Sequence, residues 1–129
     1  MTIKKLLIAN RGEIASRIIS SAHDMGISCV AIYTEADKDT PYVREADQAF
    51  KLSDSYLNSK EILDIALKSN SDAIHPGYGF LSENAAFANQ VKKLNIKWVG
   101  PSSNAIKKMG DKLTAKEIAI KANVPTLPM

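Results

Sequence analysis

The chain lacks the residues that would support several common classes of protein. It has one cysteine, Cys29, in 129 residues, so no disulfide can form within it. Its two histidines, His23 and His75, are far apart in sequence and do not form a recognisable zinc-ligand pattern with that cysteine. No apolar run approaches the roughly 20 residues that a membrane-spanning helix needs. With no signal-peptide pattern at the N-terminus, these absences predict a cytoplasmic protein without a membrane partner.

The chain also lacks a large excess of either charge, although its 24% of charged residues is ordinary. Lys and Arg number 17 and Asp and Glu 14, which leaves a net charge of +3. The lysines are scattered, and no basic stripe is interleaved with aromatic residues, so nucleic-acid binding is not predicted. Apolar residues make up 45% of the chain, which is ordinary for a globular protein, and the length fits one domain or one domain plus the start of another.

Strand and helix patterns alternate along most of the sequence. Runs rich in β-forming residues alternate with segments in which apolar residues recur at helical spacing. The predicted strands are 6–9, 29–33, 49–52, 73–74 and 97–99, and the predicted helices are 14–25, 43–46, 58–66, 82–94, 103–109 and 111–122. Strands joined through helices predict a parallel sheet in an α/β domain, with ligands bound beyond the C-terminal ends of the strands.

Two helix starts can be predicted from capping residues. Asn58 with Glu61 three positions later resembles a capping box. Ser82 is predicted to cap the following helix, whose inner face would carry Phe87, Val91 and Leu94.

The decapeptide 75–84, HPGYGFLSEN, is more elaborate than a strand-to-helix connection requires. Two glycines flank Tyr78, which suggests a backbone that approaches another group closely while presenting an aromatic ring. This combination predicts a binding loop. His75 is predicted to order that loop by a hydrogen bond rather than to act as a general base, and Glu83 could serve either the helix dipole or the site.

The turn after the first strand, Asn10-Arg11-Gly12, has one of the three glycines of a dinucleotide fingerprint. Glu35 and Asp37 could stand in for its ribose-binding acid, but the pattern is weak. We instead predict that Gly12 permits tight packing and that Arg11 and Glu13 pair with neighbouring residues.

Lys112 lies in the predicted first turn of the last helix. A lysine is mildly unfavourable there, because the helix dipole presents positive charge at that end. A contact with a phosphate would explain its position, and an ordinary surface lysine is the alternative.

Four motifs in order resemble the N-terminal domain of biotin carboxylase. They are residues 8–15 with Arg17, the decapeptide 75–84, the turn 99–101 and the segment 109–112. The resemblance implies a Rossmann-like parallel sheet with helices on both faces, the domain that precedes an ATP-grasp domain. Residues 1–110 would form this domain.

The C-terminal residues, 111–129, would begin the ATP-grasp region. They end in what looks like the start of another strand, so a longer protein is expected.

The family activates bicarbonate with ATP as carboxyphosphate and transfers the carboxyl group to biotin on a carrier domain. By resemblance, Tyr78 and Gly79 would contact the biotin ureido group and Lys112 would contact ATP. The complete enzyme would also use magnesium, but its metal ligands and catalytic residues would lie beyond residue 129. The isolated chain is therefore expected to be inactive.

The resemblance also implies partners and leaves two alternatives open. The expected partners are the ATP-grasp and C-terminal domains, the biotin carboxyl carrier domain and the carboxyltransferase. The alternatives are the first domain of another ATP-grasp ligase and a non-catalytic α/β domain that binds a nucleotide or a protein.

Overall fold

The structure, a computed structural model, describes residues 3–100 and residue 106. The strands within that part are β1 (Lys5–Ile8), β2 (Ser28–Tyr33), β3 (Gln48–Lys51), β4 (Ala73–His75) and β5 (Lys97–Trp98). The helices are α1 (Gly12–Asp24), α2 (Pro41–Glu45), α3 (Ser59–Lys68) and α4 (Ala85–Lys93), with 3₁₀ turns at Glu35–Asp37 and Phe80–Glu83. None of these helices combines the length and the apolar character needed to span a bilayer.

The five strands form one parallel sheet in the order β3-β2-β1-β4-β5. The central strand β1 aligns Leu7 with Val30 on one side and with Ile74 on the other. The chain adds strands in one direction from β1 to β3 and then returns to place β4 on the opposite side of β1. In sheets of this kind the reversal opens a crevice at the carboxyl ends of the two strands beside it. The predicted parallel α/β fold is confirmed, and the crevice lies between β1 and β4.

Helices cover both faces of the sheet, as predicted. Alternate residues of a strand point to opposite faces, so each strand contributes to two cores. One core, under α3 and α4, contains Leu7, Val30, Ile32, Ile62, Ile74, Phe87 and Val91. The other, under α1 and α2, contains Leu6, Ile8, Ile19, Cys29, Ala31 and Tyr42. Burial on both faces explains why the inner strands read as continuous apolar runs.

Helix α1 follows from its apolar spacing. Ala15, Ile19 and Ala22 recur at intervals of four and three residues and are all buried. The helix ends where Gly26 adopts a left-handed φ of +75° and donates its N–H to the His23 carbonyl. The predicted stop at this glycine is confirmed.

The predicted start of the fourth helix is wrong. Ser82 lies within the 3₁₀ turn, and Asn84 caps α4 by accepting a hydrogen bond from the Phe87 N–H at 3.0 Å. Asparagine is as good an N-cap as serine, so the later of two suitable residues takes the position. Phe87 and Val91 are buried as predicted, but Leu94 follows the last helical residue and is 40% exposed.

The predicted capping box at the start of α3 is half formed. Asn58 accepts a hydrogen bond from the Glu61 N–H at 3.2 Å. Glu61 does not return the bond, because its carboxylate accepts from the N–H and hydroxyl of Ser53 instead. The carboxylate therefore ties the preceding loop to the helix.

Several predictions fall outside the described residues. They are the helix 111–122, the boundary at residue 110, the position of Lys112 and most of the helix 103–109. Within that last segment the structure describes Ile106, which is helical and 6% exposed.

Candidate functional site

Asn10 joins the turn after β1 to the loop after β4, at the crevice of the sheet. Its side chain is fully buried, and its Nδ2 donates to the carbonyl of Pro76 at 2.8 Å and to that of Tyr78 at 2.6 Å. Its Oδ1 accepts from the Arg11 N–H at 2.8 Å. One amide group therefore fixes both the backbone of the binding loop and the first turn. Sequence reasoning missed this role, although a lone asparagine directly after an apolar strand was a usable signal.

The two glycines of the loop have different reasons to be glycine. Gly77 has a φ of +63°, and a Cβ there would lie 2.7 Å from Asn10 Nδ2 and 2.9 Å from Ile14 Cγ2. Gly79 has open space around it, but its φ of +69° and ψ of −163° form a combination that is essentially restricted to glycine. The predicted close approach is confirmed for Gly77, and Gly79 provides the conformation that follows Tyr78.

Tyr78 is presented to solvent between these fixed points. Tyr78 is 79% exposed, while Phe80, two residues later, places its ring 5.3 Å from that of Tyr56. The carbonyl of Gly79 accepts from the Ser82 N–H at 2.9 Å, whereas the Gly79 N–H has no partner among the described residues. The loop therefore offers an aromatic face and a backbone donor side by side.

His75 orders the start of the loop, as predicted. Its Nδ1 accepts from the Gly77 N–H at 3.1 Å, which requires that nitrogen to be unprotonated. The ring is partly buried, and burial lowers the pKa of His75 because it disfavours the charged form.

A His75→Asn variant should remove a pH dependence of loop stability. The folded pKa of His75 lies below its ordinary value of 6.5, so the unfolded chain binds this proton more readily. Stability from this group is complete above pH 6.5 and is lost as the pH falls through the folded pKa. Asparagine offers an acceptor and cannot titrate. The free energy of unfolding in urea should fall more steeply between about pH 7.5 and 5 for the native protein than for the variant. Identical pH profiles of the two proteins would contradict this role of His75.

Arg11 and Asp37 form a two-point ion pair near the site. The Arg11 Nε and Nη2 each lie 2.6 Å from a different oxygen of Asp37, and the hydroxyl of Tyr56 also donates to that carboxylate. Asp37 is 4% exposed, and the guanidinium keeps the pKa of its carboxyl group below the ordinary range. The predicted pairing of Arg11 is confirmed, whereas Glu13 has no ion-pair partner within the described residues.

The same pair removes the structural basis for a dinucleotide site. The Asp37 carboxylate is already occupied by three donors, and Glu35 is paired with Lys38 and Lys51, which lower its pKa to about 2. Asp37 is therefore committed to contacts within the protein, and Glu35 takes part in surface ion pairs. The predicted reason for Gly12 is also wrong, because nothing lies within 4 Å of a Cβ built there, and its φ of +61° is what requires glycine.

His23, Cys29 and Asp47 lie together at the C-terminal end of α1. Their potential ligand atoms fall within 4.8 Å of one another. Asp47 Oδ2 accepts from the Cys29 N–H and lies 2.7 Å from His23 Nε2, so its bonds are already made within the protein. Burial raises the pKa of the Cys29 thiol to about 11, which opposes the thiolate that a metal would need. The cluster is best explained as a link between α1, β2 and the residue before β3.

An open groove of about 710 Å³ runs beside the binding loop. Apolar side chains of α1, including Ile14 and Ile18, line one wall together with Arg17, and His75 to Tyr78 line another. Such a volume is typical of small-molecule sites and of clefts between domains. Glu83 lies outside this groove, exposed at the end of the 3₁₀ turn and before the first turn of α4.

The comparisons identify the family. The family model described as biotin carboxylase, N-terminal domain, matches residues 2–106. The chain is 53% identical to biotin carboxylase 1 of Bacillus subtilis over 131 residues, covering 98% of this chain and 29% of the relative.

Solved structures agree with that match. The biotin carboxylase domain of Hydrogenobacter thermophilus 2-oxoglutarate carboxylase, determined with MgADP, ADP and bicarbonate, is 44% identical with a TM-score of 0.85. The match covers 99% of this chain and 29% of that one. Pyruvate carboxylase from Rhizobium etli is 36% identical with a TM-score of 0.85, over 99% of this chain and 14% of its own.

The chain thus spans less than a third of each of these proteins. The predicted resemblance is confirmed over nearly the whole sequence, and it agrees with the strand order and with the loop at the crevice. The chain belongs to the family of biotin carboxylase N-terminal domains.

Proposed function

We propose that this chain forms one wall of the biotin site of an ATP-dependent biotin carboxylase, through Tyr78 and Gly79. The observation that carries the proposal is the loop after β4, which Asn10 pins at the crevice of the sheet while Tyr78 stays 79% exposed. A tyrosine held this way on a fixed backbone is suited to contact a ligand rather than to fill a core.

The chemistry of the loop fits a ureido group. Such a group is planar, with a carbonyl acceptor between two N–H donors. The Gly79 N–H, which has no partner among the described residues, can donate to that carbonyl, and the ring of Tyr78 can pack against the adjoining apolar atoms. Biotin, when bound, supplies the nitrogen that accepts a carboxyl group from activated bicarbonate.

The remaining cofactors are proposed to contact residues outside the loop after β4. Lys112, outside the described residues, is proposed to contact ATP, because a fixed ammonium group stabilises phosphate charge. Magnesium ligands and catalytic residues are proposed to lie in the ATP-grasp and C-terminal domains. A biotin carboxyl carrier domain and a carboxyltransferase are the proposed partners.

Tyr78→Ala in the full-length protein tests this proposal. The variant should raise the KM for free biotin about tenfold, which corresponds to the loss of an aromatic contact, and leave the KM for ATP unchanged. Folding should be unaffected because the side chain is exposed. The assay is steady-state ATP hydrolysis dependent on bicarbonate and biotin.

Tyr78→Phe is the matched control, since it keeps the ring and should retain most of the affinity for biotin. ATP turnover that is indifferent to biotin in both the native protein and Tyr78→Ala would refute the proposal. That result would favour another ATP-grasp ligase.

A further inference from the structure

Tyr56 connects the binding loop to the ion pair behind it. It lies in the turn between β3 and α3 and is 6% exposed, with its ring and its hydroxyl in contact with different parts of the site. The ring is 5.3 Å from that of Phe80 at an interplanar angle of 50°. The hydroxyl donates to Asp37 Oδ2.

Phe80 has a strained backbone conformation that a neighbouring contact must stabilise. It directly follows Gly79 and has a φ of +47°, a left-handed conformation that a bulky side chain rarely adopts. Its side chain is 41% exposed, so it is not enclosed by the core. The tilted ring contact with Tyr56 is the aromatic contact that holds Phe80 in place among the described residues.

The hydroxyl of Tyr56 fixes the ring that supports Phe80. It accepts from the Thr34 N–H at 3.2 Å, lies 2.7 Å from the hydroxyl of Tyr42 and donates to Asp37. Asp37 is ionised, because Arg11 lowers its pKa, and is therefore a strong acceptor. The Tyr56 ring is thus held from one end while its face meets Phe80.

The contacts close a ring around the loop. Arg11 pairs with Asp37 through its side chain and donates its backbone N–H to Asn10 Oδ1. Asn10 in turn holds the carbonyls on either side of Gly77. Asn10 therefore anchors the Tyr78 carbonyl, and Gly79 lies between that anchor and the Phe80–Tyr56 contact.

We infer that Tyr56 is a positioning residue for the biotin loop and sets the affinity for biotin through Phe80 without touching the ligand. The inference rests on the proposed function for its ligand. The alternative is that Tyr56 only packs the core under α3, in which case replacing it would lower stability and leave biotin affinity unchanged.

The test compares Tyr56→Leu, Tyr56→Phe and Phe80→Leu in the full-length protein. Tyr56→Leu and Phe80→Leu should each raise the KM for biotin about fivefold and leave the KM for ATP unchanged. The double variant should be no worse than either single one, because both remove the same contact. Tyr56→Phe should show a smaller rise, since the ring remains but loses its hydrogen bonds.

Ile62→Val is the control for a general loss of core packing. Ile62 is fully buried on α3 in the same core and is not part of the ring of contacts. Its substitution should lower the melting temperature without changing the KM for biotin. An unchanged KM for biotin in Tyr56→Leu, or an equal rise for ATP, would overturn the inference.

Hydrogen exchange of the Gly77 and Ser82 amides, which are hydrogen-bonded on either side of Tyr78 and Gly79, separates this inference from the proposed function. The Tyr56→Leu and Phe80→Leu variants should exchange these amides about fivefold faster than the native protein, while Ile62→Val should not. If the native protein does not carboxylate biotin, the proposed function fails, and the exchange rates alone decide the positioning role. Unchanged exchange in both leucine variants would overturn it.

Discussion

A Gly77→Ala variant of the full-length protein is expected to lose at least tenfold in kcat/KM for biotin. The added Cβ would lie 2.7 Å from Asn10 Nδ2 and 2.9 Å from Ile14 Cγ2, and both atoms belong to side chains held in place by burial or by the helix. A φ of +63° adds the cost of a left-handed alanine. Overpacking and backbone strain together cost about 2–4 kcal/mol, which the loop can relieve only by moving away from Asn10.

A Gly26→Ala variant separates the effect of backbone strain from the effect of overpacking. Gly26 has a φ of +75°, but a Cβ there would have nothing within 4 Å, so this variant incurs strain without a clash. It should lower stability by about 1–2 kcal/mol and leave biotin kinetics unchanged. Steady-state kinetics and thermal unfolding of both variants are the measurements. Equal effects of the two substitutions on kcat/KM would contradict the close-packing explanation.

The fold could be predicted because its determinants are local. The apolar run 29–33 predicts a buried strand, and the helical spacing of Ile14, Ile18, Ala22 and Met25 predicts a helix, without knowledge of any distant contact. The buried face was predicted less well, because Ala22 is buried but Met25 is 75% exposed. Alternation of the two then restricts the topology to parallel crossovers. Boundaries were less predictable, since Ser82 and Asn84 are equally good caps and the 3₁₀ turn that contains Ser82 has no sequence signature.

The site could be predicted only where the sequence is locally unusual. Two glycines around Tyr78 stand out in any sequence, and the structure shows why they are required. The roles of Asn10 and Tyr56 were not predicted, because their partners lie elsewhere in the chain: Asn10 bonds residues 76 and 78, and Tyr56 bonds Asp37. Such roles depend on which strands become neighbours, which single-residue patterns do not encode.

The ion pair of Arg11 and Asp37 shows how one architecture can serve different ligands. An acid after the second strand could hold a ribose in a dinucleotide-binding domain. Here the acid is 4% exposed and turned inward to Arg11 and Tyr56, so it orders the loops at the edge of the sheet instead. The crevice is retained, and the neighbouring loop after β4 presents the exposed ring of Tyr78.

An Asn10→Asp variant should reduce kcat/KM for biotin more than Gly77→Ala does. It replaces the donor Nδ2 with an oxygen 2.8 Å from the Pro76 carbonyl and 2.6 Å from the Tyr78 carbonyl, at a position with no solvent exposure. Two hydrogen bonds become repulsions, and a buried charge without a partner typically costs about 3–5 kcal/mol. We expect a loss of more than about a hundredfold in kcat/KM for biotin.

Asn84→Asp is the matched control for that change. Asn84 uses its Oδ1 as an acceptor for the Phe87 N–H at the start of α4, so a carboxylate keeps the bond and is favoured by the helix dipole. The Asn84→Asp variant should be as stable as the native protein or slightly more stable. The Asn10→Asp variant should also recover in part at low pH, because burial and two facing carbonyls raise the pKa of the new carboxyl group, whose proton can then serve one of them. A defect that does not vary with pH, or one that Asn84→Asp shares, would show that the amide of Asn10 does not act as the donor that holds the loop.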